Sequence, residues 1–204
     1  MPKDKTETHQ KILPAAKQEF LEKGFEQASM RSIASKIGMS AAGLYRHFED
    51  KEAMFAALVE PVLKETNAWY QEHKMKDYEW LEMNELDAMW ESDSELHMME
   101  DLIYKHFDEF KLLICCSEGT RYSTFLHDTV VIEQEETELY MEAARKKGIP
   151  VKDVDSDELH LLLSAYVTAI FEVVIHDFPR DAAEHYMKTL QEFFAPGWRA
   201  VLGL

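Results

Sequence analysis

Residues 29–51 read SMRSIASKIGMSAAGLYRHFEDK, a pattern that predicts two short helices joined by a tight turn. Ser29 is a favourable N-cap, because its hydroxyl can accept a hydrogen bond from an unpaired backbone N–H of the first turn. Ile33, Ala34 and Ile37 then fall on one helical face. Gly38 can take the left-handed conformation that closes a helix. Met39 can tuck beneath the turn, and Ser40 can cap a second helix expected over residues 41–48. Leu44 and Phe48 point inward on that helix at i, i+4. Two helices joined by a short turn containing glycine make the helix-turn-helix arrangement.

The outward face of the second helix is expected to carry Ala41, Ala42, Gly43, Tyr45, Arg46 and His47. Glycine inside a helix costs about 1 kcal/mol relative to alanine, so Gly43 needs a reason. Small side chains here let a helix backbone approach base edges closely. Tyr45, Arg46 and His47 can donate hydrogen bonds to phosphates or bases. Asp50 suits the N-cap of a further helix and places Lys51 in its first turn. Backbone N–H groups and an ammonium there would form a phosphate clamp.

Residues 30–55, MRSIASKIGMSAAGLYRHFEDKEAMF, resemble the DNA-binding segment of the TetR/AcrR family of transcriptional regulators. The likeness runs from about residue 12 to residue 59 and includes the upstream AAKQEFLEKGF. The resemblance implies an all-α fold of about nine or ten helices. In it, a three-helix helix-turn-helix DNA-binding domain (residues 1–52) precedes a larger helical ligand-binding and dimerisation domain (residues 53–204). It places Ser29 and Arg31 at the phosphate-facing start of the second helix. Ser40, Ala41, Ala42, Gly43, Tyr45, Arg46 and His47 lie at or in the recognition helix, and Lys51 matches the family's phosphate-contacting lysine. Many members carry larger side chains where Ala41 and Gly43 stand, so base readout at those positions is expected to be sparse. The expected partners are a palindromic double-stranded DNA operator, a small-molecule effector and a second copy of the chain.

The net charge of −17 suits no protein that coats DNA nonspecifically. Its distribution changes that inference. Residues 1–52 hold 9 Lys+Arg against 8 Asp+Glu, whereas residues 53–204 hold 13 against 31. The acid is segregated from the proposed DNA-reading end, so nonspecific binding should be weak and operator affinity strongly salt-dependent. An acidic remainder also disfavours an anionic effector. Hydrophobic residues make up 46% of the chain, enough for a sizeable core. No run of about 18 apolar residues is found, so no membrane span is expected. A polar N-terminus without an apolar signal core predicts a cytoplasmic protein. Cys115 and Cys116 are adjacent and read as buried helix residues or as a thiol sensor.

Before the helix-turn-helix, residues 1–8 are a polar arm whose Lys3 and Lys5 serve solubility or touch DNA backbone. A first helix is expected over residues 8–23, with Ile12, Ala16 and Phe20 inward and Gly24 as its stop. Pro14 predicts either a kink or a later start. The fourth helix should start at Asp50, carry Met54, Phe55, Leu58 and Val59 inward, and bend at Pro61 on its way to about residue 71. By resemblance this helix joins the reading head to the effector domain.

Farther on, DYEWLEMNELDAMW (residues 77–90) predicts one helix and Ser92-Asp93-Ser94-Glu95 a capping box opening another. Trp69, Trp80, Met83, Trp90, Met98, Phe107, Phe110, Tyr122 and Phe125 crowd the middle of the chain. They read as core or as a malleable apolar pocket, since methionine adapts to varied shapes. A long helix is expected over residues 122–147, with Arg145, Lys146 and Lys147 complementing its dipole. Asp155 or Ser156 caps the next, ELHLLLSAYVTAIFEVVIHDF, which is apolar all round and must be covered on both sides. A last helix is expected over residues 180–194. The resemblance puts two such helices from each subunit into a four-helix dimer interface, here with Leu162, Tyr166, Ile170, Val173, Tyr186, Leu190 and Phe194. Independently, a reader of this kind needs two heads about 34–36 Å apart.

Catalytic chemistry has no foothold in the chain: there is no nucleophile elbow, no Gly-rich phosphate loop and no H-E-x-x-H. Neither a catalytic residue nor a cofactor is expected. The histidines at 97, 106, 127, 160, 176 and 185 are scattered among acids and could gather around a metal, but they show no i, i+4 pair and read as satisfied or surface side chains, so no metal site is expected. The reading is a ligand-responsive transcriptional repressor, released from its operator by a small apolar molecule, rather than an enzyme. An activator on the same fold, or a helical small-molecule-binding or enzymatic protein with a vestigial DNA-binding head, is the alternative.

Overall fold

A computed structural model describes residues 5–92 and 94–204. Ten α-helices and one π-helical turn form the described residues, with no strand among them. They are α1 Lys5–Gln27, α2 Met30–Lys36, α3 Ala41–Leu44, α4 Lys51–Met83, α5 Leu86–Trp90, α6 Ser94–Met98, the π turn Met99–Ile103, α7 Phe107–Cys115, α8 Phe125–Lys146, α9 Ser156–Ile175 and α10 Arg180–Leu202. The expected capping box needs Asp93, and the expected arm includes Lys3; both lie outside the described residues.

The chain divides into two compact units. The first ends at Glu65 and also takes in His106–Ser123; the second comprises Thr66–Lys105 and Thr124–Leu204. The division expected after residue 52 thus falls inside α4, and α7 joins the first unit. The reason is packing. Ile12, Ala16, Phe20 and Phe55 are fully buried in that unit, and Phe110 and Leu112 of α7 are buried with them. Phe20, Phe25 and Phe55 meet with ring centroids 5.2–5.9 Å apart, and Tyr122 completes the cluster at 5.9 Å from Phe55. Each such ring contributes about 1.5–3 kcal/mol by leaving water. The backbone N–H of Phe25 donates to the carbonyl of Cys116 at 2.8 Å, and Lys17 of α1 donates to Glu109 of α7 at 2.7 Å.

Several expected boundaries move. α1 starts at Lys5 and continues through Pro14; Gly24, at φ 70°, interrupts it as expected. α4 continues through Pro61 to Met83, so residues 77–83 are its end and not a new helix. Asn84 stops it in the left-handed region at φ 61°. α10 runs through Pro196 to Leu202, well past residue 194. In these helices tertiary packing outweighs the local cost of proline.

In the second unit, α9 packs between α8 and α10. Asp155 caps it, accepting from the N–H groups of Asp157 and Glu158. By length and composition alone α9 is apolar enough to cross a bilayer, a test that the core helix of a folded protein also passes. Leu159, Leu163, Val167, Ile170, Phe171, Val173 and Val174 are instead buried in its own unit, as in a core helix.

Candidate nucleic-acid interface and effector cavity

In the first unit, α2 and α3 meet through a turn whose parts act as the sequence suggests. Gly38 is left-handed at φ 66°. Met39 donates its N–H to the carbonyl of Ala34 at 2.8 Å, closing α2. Ser40 Oγ accepts from the N–H of Gly43 at 3.1 Å, capping α3. Asp50 likewise accepts from Ala53 at 2.7 Å ahead of α4. Ser29 holds the extended N-cap conformation, but its hydroxyl makes no capping bond; its carbonyl receives the N–H of Ile33 at 3.0 Å. α3 proper ends at Leu44. The backbone then tightens, with Arg46 and His47 donating to the carbonyls of Gly43 and Leu44, three residues back.

The exposed surface of this motif is narrower than expected. Arg31, Ser40, Ala42, Tyr45 and Arg46 are exposed, while Ser29, Ala41 and His47 are half-buried. Tyr45 is 52% exposed. Neither Arg31 nor Arg46 pairs with a carboxylate among the described residues, so both guanidinium groups can reach an anion. Gly43 is not on the outward face: it is buried, and a Cβ there would lie 3.0 Å from Met39 Cγ and 3.2 Å from Ser40 Oγ. The glycine makes room for the methionine under the turn.

Lys51 also departs from expectation. Its ammonium donates to the carbonyls of Phe25, Glu26 and Ala28 at 2.5, 3.0 and 3.1 Å. It sits 4.3 Å from the centroid of the Phe25 ring. An ammonium has three donors, and all three are spent on the chain that leaves α1. Burial lowers its pKa, with Glu26 opposing. Lys51 is a staple between α4 and the end of α1, with no donor left for a phosphate.

A second fixing point was not foreseen. Glu19 of α1 is 0% exposed. It accepts from Lys23 at 2.7 Å, Ser32 at 3.0 Å and Lys36 at 3.1 Å, tying α1 to α2. Burial alone would raise its pKa; the hydrogen bonds from Lys23, Lys36 and Ser32 overcome that and hold it at about 2. Ser32 and Lys36 lie four apart on one face of α2, the only trace of this contact in the sequence.

The second unit encloses a cavity of about 600 Å³, within the range of small-molecule sites. Of the residues expected at a pocket, Trp69, Trp80, Trp90 and Met98 line it. The others do not. Met83 is 57% exposed. Phe107, Phe110 and Tyr122 belong to the first unit. Phe125 packs on Phe171 with centroids 5.6 Å apart. Tyr70, Tyr78, Tyr140, Asp77, Glu133 and Glu136 line the cavity instead. Lys74 pairs with Glu136 at 2.5 Å. Burial raises Asp77 to about 6, and burial with repulsion from Asp77 and Glu136 raises Glu133 to about 7.

Most residues expected at a dimer interface turn inward. Ile170, Val173 and Leu190 are buried within their own chain. Tyr166 and Ile170 line the cavity. Tyr186 donates to the carbonyl of Ala169 at 3.0 Å, and Phe194 packs on Tyr166 at 5.1 Å. A helix apolar all round hides from periodicity which side its own chain covers. Leu162 does remain exposed, with Leu161 and Ile175 on α9 and Phe193 on α10; Phe193 is 73% exposed.

Cys115 is exposed and Cys116 buried, and neither forms a disulfide. Burial raises the Cys116 thiol above its usual pKa, the opposite of a reactive thiolate. Among the described residues no three His, Cys, Asp or Glu side chains gather to hold a metal.

Residues 12–58 match the family model of bacterial regulatory proteins, tetR family. The HTH-type transcriptional regulator UidR of Escherichia coli is 25% identical over 201 residues, 96% of this chain and 91% of UidR. The HTH-type transcriptional repressor BepR of Brucella suis is 42% identical over 53 residues, 26% of this chain and 25% of BepR. The crystal structure of NalD, the secondary repressor of the MexAB-OprM multidrug efflux pump in Pseudomonas aeruginosa, superposes with a TM-score of 0.49 at 18% identity, covering 92% of this chain and 96% of that one.

Proposed function

Because this chain belongs to the TetR family of bacterial transcriptional regulators, we propose that it is a cytoplasmic homodimeric repressor released from a palindromic operator by a small molecule. Arg31, Tyr45 and Arg46 form the DNA-contacting surface, with Ser40, Ala42 and His47 around them. The observation that carries this reading is a capped helix-turn-helix that exposes Tyr45 and Arg46 after α3 and Arg31 on α2, neither arginine pairing with a carboxylate among the described residues. Arg46 and Tyr45 are placed to meet base edges or phosphates, and Arg31 to meet phosphate. Gly43 and Lys51 serve the same surface from beneath, by fixing the turn and the end of α1.

Two copies present two reading helices. We assign their contact to the exposed apolar residues of α9 and α10, Leu161, Leu162, Ile175 and Phe193. The effector occupies the cavity of the second unit. It acts by population shift: one conformation of the dimer matches both half-sites, and the ligand binds the other more tightly. A hundredfold loss of operator affinity requires about 2.7 kcal/mol of such preference.

The test is a gel shift of the purified chain with DNA upstream of its own gene. Tyr45→Ala and Arg46→Ala should each weaken binding about tenfold or more, within the worth of one good base contact, without changing the dimer. Full affinity in both variants would contradict the assigned DNA face.

A further inference from the structure

We propose that the cavity of the second unit selects an organic cation, a molecule with a positively charged nitrogen on an apolar or aromatic body. This rests on the effector-responsive reading above and names the class of ligand. The cavity is walled by rings, and all four tryptophans of the chain, Trp69, Trp80, Trp90 and Trp198, line it. Indole faces attract cations through their quadrupole.

Asp77 and Glu133 also line the cavity. Neither carboxylate has an ion pair or a hydrogen bond among the described residues. Glu136 differs, since Lys74 already answers its charge. Tyr140 adds an independent sign of a missing partner. It is only 8% exposed, it lines the cavity, and its hydroxyl has no hydrogen-bond partner among the described residues. Buried polar groups left unsatisfied are costly, and with no counterion the two acids are pushed toward their neutral forms, as their raised pKa values show; a cation would let both ionise. A neutral guest would leave both acids uncompensated. An anionic guest would add a third like charge. A cation answers both acids and rests its body on the rings, while the Tyr140 hydroxyl can accept from an N–H donor or donate to an acceptor on the guest.

Tryptophan fluorescence reports this site, because no tryptophan lies elsewhere. The full chain would be titrated with a phenylalkyl trimethylammonium ion and with the uncharged compound in which tert-butyl replaces trimethylammonium. The two have the same shape, so their difference isolates the charge. The ammonium should bind about tenfold tighter or more. In the isosteric double variant Asp77→Asn, Glu133→Gln that preference should fall to about twofold or less, with the melting curve showing a folded protein. Equal binding of the two compounds to the wild type overturns the proposal without recourse to any variant; a preference that survives in the double variant overturns the part given to Asp77 and Glu133 and leaves the selection to the indole faces. A gel shift on the same samples separates the two readings. If DNA binds and the ammonium is not preferred, the ligand class alone is wrong. If no upstream duplex binds, the regulator reading fails and a measured ammonium preference still stands.

Discussion

Replacing Lys51 by methionine distinguishes a staple from a phosphate contact. The substitution keeps the aliphatic stem and removes the ammonium. The carbonyls of Phe25 and Ala28 are partly buried and that of Glu26 is exposed, so water can replace the third bond but not fully the first two. Bonds from a charged donor contribute about 1.5–3 kcal/mol each, and the contact with the Phe25 ring adds about 0.5–1. Burial of the ammonium, visible in its lowered pKa, offsets part of this. A net loss of about 2–3 kcal/mol follows, or about 10–20 °C in the melting transition of a unit this size. Far-UV circular dichroism is the suitable probe, since all four tryptophans line the second unit's cavity and would not sense the change. The companion measurement is the dependence of operator affinity on salt, at a temperature where both proteins are folded. A phosphate contact contributes about 0.9 to the slope of log K against log salt. The staple predicts a large loss of stability and an unchanged slope. A variant that melts like the wild type and loses about one unit of slope would refute the reasoning.

Glu19→Gln should destabilise the first unit by about 1–3 kcal/mol, because Lys23, Lys36 and Ser32 lose their buried charged acceptor; urea denaturation measures it. The pH dependence has a definite sign. The carboxyl titrates at about 2 when folded against 4.5 for its ordinary value, so the unfolded chain binds the extra proton between those limits. Its stabilisation is full above pH 4.5 and is lost as the pH falls toward 2, and the glutamine variant should lack that part of the acid transition. Leu162→Glu combined with Phe193→Glu should produce monomers in sedimentation equilibrium while leaving the melting of each unit nearly unchanged, since both side chains are exposed on the single chain. A dimer that survives both charges would place the interface elsewhere.

Local chemistry was legible in the sequence wherever one residue acts on its neighbours. Ser40, Asp50 and Asp155 cap the helices that follow them, and Gly38 turns left-handed, because each effect is decided within four residues. What escaped depends on partners far along the chain. Lys51 meets carbonyls about 25 residues away, and Glu19 meets α2 about 13 residues away. The Lys51 contact leaves no periodic trace, and the Glu19 contact leaves only the spacing of Ser32 and Lys36. Gly43 was assigned a functional surface because its helical angle points outward in an ideal helix; Met39 packs over it instead. Pro14 and Pro61 sit inside helices for the reason that burial on the neighbouring turns, at Ile12 and Ala16 and at Val59 and Val62, exceeds one lost hydrogen bond. In the cavity the tryptophans were visible as a cluster, but the acids among them were not. Asp77, Glu133 and Glu136 look like ordinary solvated charges until α4 and α8 are both in place.

The attachment of α7 to the first unit constrains anyone who would exchange reading heads between regulators. A cut in α4 beyond Phe55 strands Phe55 without Tyr122, Lys17 without Glu109 and the Phe25 amide without the Cys116 carbonyl. A functional chimera must therefore transplant two separate stretches, residues up to 65 and residues 106–123, and rejoin the polypeptide at three places. The transplanted head remains interleaved with its host along the chain, so a graft of the first stretch alone should yield a misfolded hybrid even when its operator-contacting side chains are all present.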